Sequence, residues 1–279
     1  MIRRPAVAGI FYENQNIMLK KSIEDCFMHE LGPGNIPIMG NARKIKGAIV
    51  PHAGYIYSGP IAAHSYYKIV EDGFPETFII LCPNHTGLGT GISISSDEQW
   101  STPLGNVNVD TEFAEYLFKN SDIMDLDNLA HLREHSCEVQ LPFLQYFSKD
   151  FQIVPISMGF QDMSVAKYIA EAIYDAKNVL NKDIIILAST DFTHYKKHEI
   201  ASKQDHYLID SISNFDINGL YSKIQKHNIS ICGYGPVAAM LYFAKKNNVT
   251  TAEFLKYATS GDSSKDYSSV VGYTSEIFY

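Results

Sequence analysis

Four short apolar runs constrain the fold of this chain more than any other feature. They occupy residues 46–50, 77–82, 152–157 and 183–188, and each is rich in branched side chains. Runs of this length and composition are typical of strands that are covered on both faces, as they are in parallel sheets. The runs therefore predict four central strands.

Between these runs lie segments in which apolar residues recur at helical spacing, such as Val165, Ile169 and Ala176. The segments are residues 17–31, 61–70, 111–120, 164–180, 200–213 and 237–247. Strands that alternate with helices predict an α/β fold, here a layered domain with a central, mostly parallel sheet flanked by helices. The Ser- and Tyr-rich residues 267–279 predict one or two further strands, with a bulge at Gly272.

Composition favours a single domain over residues 1–279. Apolar residues make up 46% of the chain and charged residues 19%, so the chain can fill a sizeable core and is not expected to be disordered. No flexible linker, low-complexity tract or repeat interrupts the sequence. The formal net charge is -8 and no basic run is present, which argues against a nucleic-acid partner.

The apolar runs and the cysteines also indicate in which cellular compartment the protein is expected. No run approaches the roughly 20 residues that cross a bilayer, so no membrane partner is expected. The apolar stretch at the amino terminus is shorter than the core of a secretion signal, so we expect a cytoplasmic protein. Cys26, Cys82, Cys137 and Cys232 form no C-x-x-C pair, and we expect all four to be reduced thiols.

Polar loops follow three of the four predicted central strands. His52 lies just after the first strand, His85 just after the second, and Asp191 and His194 after the fourth. Ligands collect at the carboxyl ends of the strands in α/β sheets, because the loops converge there on a rigid sheet. The sequence therefore predicts a site at that edge.

Two of these histidines have the setting of metal ligands. His52 and His85 each follow a proline and precede a glycine by two residues, and Cys232 lies in a glycine-containing loop before a predicted helix. Imidazole and thiolate bind iron, copper and zinc, and a helix amino terminus or a bound metal lowers the pKa of a thiol. The alternative is that the histidines cap or pack under turns and that the cysteine is a small core residue.

Other polar residues are candidates for proton transfer. Asp191 and His194 are three residues apart, which suits a general acid/base pair in which the carboxylate orients the imidazole. Alternatively, residues 189–191 cap a following helix. His135 is predicted to line the same cleft, although the glutamates of residues 134–138 are equally typical of a solvated first turn of a helix.

Taken together, the blocks of sequence around these residues resemble the MEMO family. The resemblance extends in order over nearly the whole chain. The blocks that carry it are Pro51-His-Ala-Gly-Tyr-Ile-Tyr-Ser-Gly59, Pro83-Asn-His85, Glu134-His-Ser-Cys-Glu-Val-Gln-Leu-Pro142, Ser189-Thr-Asp-Phe-Thr-His194 and Ile231-Cys-Gly233.

This resemblance implies a fold similar to that of the catalytic subunit of class III extradiol dioxygenases, which are non-haem iron enzymes. By position, His52 and His85 match the two histidine ligands of those enzymes and His194 matches their acid/base histidine. Cys232 stands where they have a carboxylate. The family implies one bound iron or copper ion, and the softer thiolate also suits zinc.

The resemblance leaves more than one function open. The leading expectation is metal-dependent redox chemistry, an oxidoreductase activity on a small molecule. The alternative is a binding module that holds a peptide or small ligand without catalysis, with Tyr55, Tyr57, Tyr195 and Tyr234 as an aromatic rim. Hydrolysis by a zinc-bound water would use the same ligands. An animal member of the family binds phosphotyrosine peptides, but the loops here have no arginine cluster for phosphate.

Overall fold

Strands from the whole length of the chain form one mixed sheet of twelve strands in the computed structural model, which describes residues 1–279. The strands are β1 (Ile2–Arg3), β2 (Gly47–Val50), β3 (Thr77–Pro83), β4 (Ile92–Ile94), β5 (Gln99–Thr102), β6 (Gly105–Val109), β7 (Asp125–Leu126), β8 (Gln152–Met158), β9 (Ile184–Ser189), β10 (His194–Lys196), β11 (Ala252–Thr259) and β12 (Val270–Phe278).

Nine helices flank this sheet, and a short 3-10 turn at Glu138–Gln140 precedes the fourth of them. The helices are α1 (Asn16–Met28), α2 (Tyr55–Asp72), α3 (Thr111–Lys119), α4 (Leu141–Phe147), α5 (Met163–Val179), α6 (His198–Ser213), α7 (Ile217–His227), α8 (Tyr234–Lys246) and α9 (Ser260–Ser264). None of the helices combines the length and the hydropathy that crossing a bilayer requires.

The four predicted strands lie side by side as the parallel centre of the sheet, in the order β8, β3, β9, β2. Antiparallel pairs occur toward the edges, where β12 pairs with both β2 and β11. The α/β fold predicted from the sequence, with a mostly parallel sheet, is confirmed.

Both faces of the central strands are covered, as their uninterrupted apolar sequences predict. In β3, Phe78 and Ile80 face one core, which packs against α1, α2 and α4. Ile79 and Leu81 face the other core, which packs against α5 and α8. Because both faces are packed, the central strands are held rigidly, and they fix the positions at which the loops at their ends begin.

Some elements differ from the predictions. Helix α7 and strand β11 have no counterpart among the predicted segments, because α7 buries only Ile217 and Leu220 fully and β11 is mostly half-exposed. The bulge expected at Gly272 is not formed; the nearby irregularity is in β10, which shifts register around Tyr195, opposite Val270 and Val271, and Tyr195 has a φ of 57°. Gly272 instead leaves room for the Asp205 carboxylate, which a Cβ atom would meet.

The prediction that all four cysteines are reduced is wrong for two of them. Cys82 and Cys137 form a disulfide, with their Cα atoms 5.7 Å apart, whereas Cys26 and Cys232 are free. The two half-cystines are separated by 55 residues in the sequence. Only the packing of the segment around Cys137 against the end of β3 brings them together.

Candidate metal centre

Three neighbouring strands place polar side chains at one edge of the sheet. His52, Asp191 and His85 each lie two residues beyond the end of a strand, namely β2, β9 and β3, and β9 lies between the other two. Because these strands are parallel and adjacent, the three loops meet at their carboxyl ends. Cys232 joins them from the loop that leads into α8.

The predicted ligands converge. His52 Nε2 lies 3.2 Å from Cys232 Sγ, and one donor atom each of His52, His85 and Cys232 all lie within 4.8 Å of one another. The two imidazole rings are 5.2 Å apart between centroids and nearly perpendicular. Metal bonds to nitrogen and sulfur are about 2.0–2.3 Å long, so one ion can reach all three donors after small side-chain adjustments.

The environment of the donors suits a neutral imidazole but not a free thiolate. Burial, with the charges of neighbouring histidines, holds the pKa of His52 well below its usual value, so its ring is neutral. Burial, followed by the charge of Asp191, raises the pKa of Cys232. In the metal-free site, desolvation of the sulfur outweighs the lowering of this pKa that is expected at a helix terminus.

Asp191 contacts two of the ligands. Its Oδ1 accepts a hydrogen bond from the His52 backbone N–H at 2.8 Å, and its own N–H donates to Cys232 Sγ at 3.2 Å. Its Oδ2 is 3.9 Å from His52 Nε2. Burial raises the pKa of Asp191 to about 6, although the bond from the His52 backbone works against the rise.

The predicted hydrogen bond between Asp191 and His194 is not formed. His194 Nδ1 lies 2.7 Å from the Ser230 carbonyl, and the His194 N–H donates to the Ser230 hydroxyl at 2.8 Å. The capping alternative for residues 189–191 is also wrong, because a loop and strand β10 follow them and α6 begins only at His198. His194 is nevertheless near enough for its charge to lower the pKa of Asp191.

His135 lies in the same cluster. Its ring stacks on His85 and packs at a tilt against Phe11, with a centroid distance of 4.6 Å to each, and its Nδ1 is 3.3 Å from Glu134 Oε1. Burial lowers the pKa of His135 to about 4, so the ring is neutral near neutral pH. The alternative of a solvated helix start is wrong here, because Glu134 and Glu138 are both fully buried.

The buried carboxylates reveal residues that sequence reasoning missed. Glu138 accepts hydrogen bonds from Arg3 at 2.7 Å and from the Tyr12 hydroxyl at 2.6 Å, which ties the amino-terminal segment to the site. Glu134 binds His85 directly, with its Oε1 2.9 Å from the ring Nδ1. In the sequence, the feature that could have indicated their burial is the high share of polar residues directly before Val139 and Leu141, which are themselves buried.

The expected aromatic rim is only half present. Tyr57 and Tyr195 are exposed, but Tyr55 is buried and donates its hydroxyl proton to the Val139 carbonyl at 2.7 Å. Tyr234 packs edge-on against Tyr221. A cavity of about 590 Å³ opens beside the cluster, and Phe11 and Tyr55 line it, although none of the three candidate ligands does.

The fold and the site define the class: an α/β protein with a His/His/Cys cluster at the carboxyl edge of a mostly parallel sheet. The sequence model of a family described as Memo-like protein matches residues 3–277. This chain therefore belongs to the Memo-like family, as its sequence motifs predict.

Similar proteins cover the chain from end to end. MEMO1 family protein MTH_45 of Methanothermobacter thermautotrophicus is 51% identical over 98% of this chain and 99% of its own. A MEMO1 family protein of Methanobrevibacter smithii is 50% identical over all of both chains. The crystal structure of uncharacterized protein JW3007 from Escherichia coli K12 matches 84% of this chain and 100% of its own with a TM-score of 0.57. At 12% identity, that likeness shows the fold alone.

Proposed function

We propose that this protein binds one transition-metal ion through His52, His85 and Cys232 and uses it for redox chemistry on a small molecule. The observation that carries the proposal is the convergence of the three donor atoms within 4.8 Å. Two imidazole nitrogens and a sulfur form a donor set that suits iron, copper or zinc. We propose iron or copper as the resident metal, in a cytoplasmic protein whose residues 1–279 act as one domain.

The surrounding residues have separable roles in this proposal. A bound iron or copper ion would supply one-electron redox chemistry and act as a Lewis acid. The side chain of His85 is 33% exposed, so substrate can approach from its side, whereas His52 is shielded. His194 donates its Nδ1 proton to the Ser230 carbonyl, which leaves Nε2 free to accept a proton from a substrate hydroxyl.

The neutral His135 and the buried Asp191 shape the remaining walls. His135 presents an uncharged ring next to His85, and it can contact a bound ligand without a charge of its own. Asp191 holds the His52 backbone and the Cys232 sulfur in place. A proton on Asp191 or a metal beside it would relieve the cost of its burial.

Metal analysis of protein purified without a metal-affinity tag tests the site. Wild-type protein should contain about one equivalent of metal, whereas His52→Ala and Cys232→Ser should lose most of it. Cys26→Ser is the matched control, because Cys26 is a free, buried thiol outside the cluster. Equal occupancy in wild type, His52→Ala and Cys232→Ser would reject the proposed centre.

Redox activity requires its own measurement. We expect oxygen consumption with catechols or ascorbate as reductant in the metal-loaded wild type, and a large loss in His194→Gln at unchanged metal content. If the metal-loaded wild type consumes oxygen only at the background rate, the proposed redox activity is wrong, whereas the proposed metal site is unaffected.

A second candidate function is ligand binding without catalysis. The cavity beside Phe11 and Tyr55, and the exposed Tyr57 and Tyr195, offer apolar surface to a peptide or small molecule. Binding of an aromatic peptide by the metal-free protein, together with background oxygen consumption, would favour this function over the first.

A further inference from the structure

We propose that Ser189 and Glu134 are positioning residues that fix the tautomers of His52 and His85, so that both Nε2 atoms are unprotonated and available to a metal. The inference deepens the proposed metal site and rests on it. Neither Ser189 nor Glu134 belongs to the donor set, but each forms a hydrogen bond with the Nδ1 atom of one candidate ligand.

The tautomer of His52 follows from the hydrogen bonds of Ser189. A hydroxyl has one proton and two acceptor sites. Ser189 Oγ is 2.8 Å from the Ser136 carbonyl, which can only accept, so the hydroxyl proton points there. Gln140 Nε2 donates to one acceptor site at 3.0 Å. His52 Nδ1, at 2.8 Å, faces the other site and must carry its own proton.

The orientation of the Gln140 amide is fixed independently. Its Oε1 accepts a hydrogen bond from the Tyr66 hydroxyl at 2.5 Å. Its Nε2 donates to the Pro51 carbonyl at 3.1 Å, and a carbonyl offers no proton in return. The NH2 group therefore faces Ser189 Oγ and the Pro51 carbonyl, its two shortest contacts, and the Ser136 carbonyl, 3.2 Å from the same nitrogen, accepts the Ser189 proton at 2.8 Å. In this assignment, which uses the shorter contacts of both groups, His52 Nδ1 carries its own proton.

The tautomer of His85 follows from Glu134. Two donors of His85 meet this carboxylate, the backbone N–H at 2.6 Å and the ring Nδ1 at 2.9 Å. Two donors of Ser136 meet it as well, the backbone N–H at 3.0 Å and the hydroxyl at 2.7 Å. An ionised carboxylate can only accept hydrogen bonds, and three of these donors meet its Oε1 while the His85 backbone N–H meets its Oε2. His85 Nδ1 must therefore carry a proton, and its Nε2 is bare.

The consequence is a site prepared for metal before any metal binds. Both rings present a lone pair at Nε2, and His52 Nε2 already lies next to Cys232. A carboxylate behind a ligating imidazole raises its basicity, and changes to such partners typically weaken metal binding by about 10–100-fold. We expect the loss to be larger for Glu134 than for Ser189, because only Glu134 is charged.

Zinc affinity in a matched pair of variants tests the role of Glu134. The probe is Zn²⁺ alone, titrated against a chromophoric chelator. Glu134→Gln should weaken Zn²⁺ binding by about 10–100-fold, because its NH2 group meets a hydrogen-bond donor whichever way the amide turns. Glu276→Gln is the control, since Glu276 is a fully buried carboxylate on β12 that accepts a hydrogen bond from the Ser213 hydroxyl and contacts no imidazole. Its affinity for Zn²⁺ should equal that of wild type.

A second pair tests Ser189 and remains available if Glu134→Gln fails to fold. Ser189→Ala should weaken Zn²⁺ binding, but by less than Glu134→Gln does. Ser65→Ala is its control, because the buried Ser65 hydroxyl donates to the Ile49 carbonyl at 2.8 Å and contacts no histidine. Nitrogen NMR of the metal-free protein adds a readout that packing alone would not move. We expect His52 and His85 to be protonated at Nδ1 in wild type, and His52 to lose that preference in Ser189→Ala.

The outcomes separate this inference from the proposed function. If wild type binds no Zn²⁺ and no other transition metal, the metal site fails, and the NMR tautomers alone decide whether the positioning roles stand. If wild type binds Zn²⁺ but Glu276→Gln weakens it as much as Glu134→Gln, the role of Glu134 is merely structural and the inference is overturned. Protonation of either ring at Nε2 in the metal-free wild type overturns it as well.

Discussion

A single glycine sets the distance between Cys232 and the rest of the cluster. Gly233 begins the turn into α8, and a Cβ atom there would lie 2.7 Å from Thr190 Cβ and would also meet the Ser189 carbonyl. Gly233→Ala must therefore push the Cys232 loop away from the end of β9. We expect the free energy of unfolding to fall by about 1–3 kcal/mol, as for other overpacked sites, and Zn²⁺ binding to weaken. Urea denaturation and zinc titration measure the two effects.

Gly54→Ala is the matched control for this prediction. Gly54 also lies next to a candidate ligand loop, but its φ is -58° and an added Cβ would lie 3.5 Å from the nearest atom, which is ordinary contact. Its stability and zinc affinity should stay close to those of wild type. If Gly233→Ala behaves like Gly54→Ala, the close approach of this loop to β9 does not hold Cys232 in place.

Sequence reasoning succeeds for residues whose position depends on a strand end and fails for residues whose position depends on packing. His52 and His85 were identifiable because each follows a recognisable strand, and Cys232 because its loop precedes a recognisable helix. The partnership of Glu134 with His85 depends on how a loop folds over β3, and no local pattern encodes that contact. The family resemblance supplied the block around Glu134 but not its role.

At the scale of elements, one buried arginine holds the amino-terminal strand in place. Arg3 binds Glu138 at 2.7 Å, donates to the His131 and Glu134 carbonyls at 2.8 Å each, and lies 4.0 Å from the centre of the Trp100 ring. Arg3→Leu would leave the Glu138 charge buried without its cation. We expect the free energy of unfolding to fall by about 3–5 kcal/mol, which urea denaturation measures.

The neighbouring Arg4 offers the control for this prediction. Arg4 is exposed, so Arg4→Leu should change the free energy of unfolding by no more than about 0.5 kcal/mol. A similar small effect for both substitutions would show that the Arg3–Glu138 pair contributes little to stability. A large effect confined to Arg3→Leu would support the view that this strand is anchored mainly through the site segment.

Elements follow the same rule as residues: those buried on both faces are predictable and those at the edges are not. The central strands were identified because burial on both faces demands uninterrupted apolar sequence, as in β3 and β9. Strand β11 carries Glu253 and Lys256 on a half-exposed ribbon, so its sequence does not alternate cleanly. Strands β4 and β7 are so short that pairing with neighbours defines them rather than composition.

At the scale of the whole molecule, the sheet joins both ends of the chain to the site. Strand β1 pairs with β5 at one side, and β12 pairs with β2, whose loop carries His52, at the other. Residues near both ends thus stabilise strands on which the cluster depends. This continuity of the sheet is consistent with the proposal of one domain, and it means that the global stability of the fold bears on the geometry of the cluster.

A buried carboxylate on β12 makes the global stability of the fold depend on pH. Glu276 on β12 is fully buried, with one carboxylate oxygen bonded to the Ser213 hydroxyl and the other without a partner. Burial raises its pKa to about 7 from an ordinary value of 4.5, although the Ser213 bond works against the rise. Between these two values the native state holds more protons on Glu276 than the unfolded state does, so stability must fall as the pH rises through this range.

We expect Glu276 to remove at most about 3 kcal/mol of stability as the pH rises from about 4.5 to about 7, with no further loss above that range. Burial also raises the pKa values of Asp191 and Asp205, which contribute in the same direction, so the wild-type slope alone cannot isolate Glu276. Glu276→Gln removes one titrating group and leaves the others. Urea denaturation of wild type and Glu276→Gln across this pH range should therefore give a shallower decline in the variant. Parallel declines would mean that Glu276 titrates alike in both states, and its burial would then have no electrostatic cost to the fold.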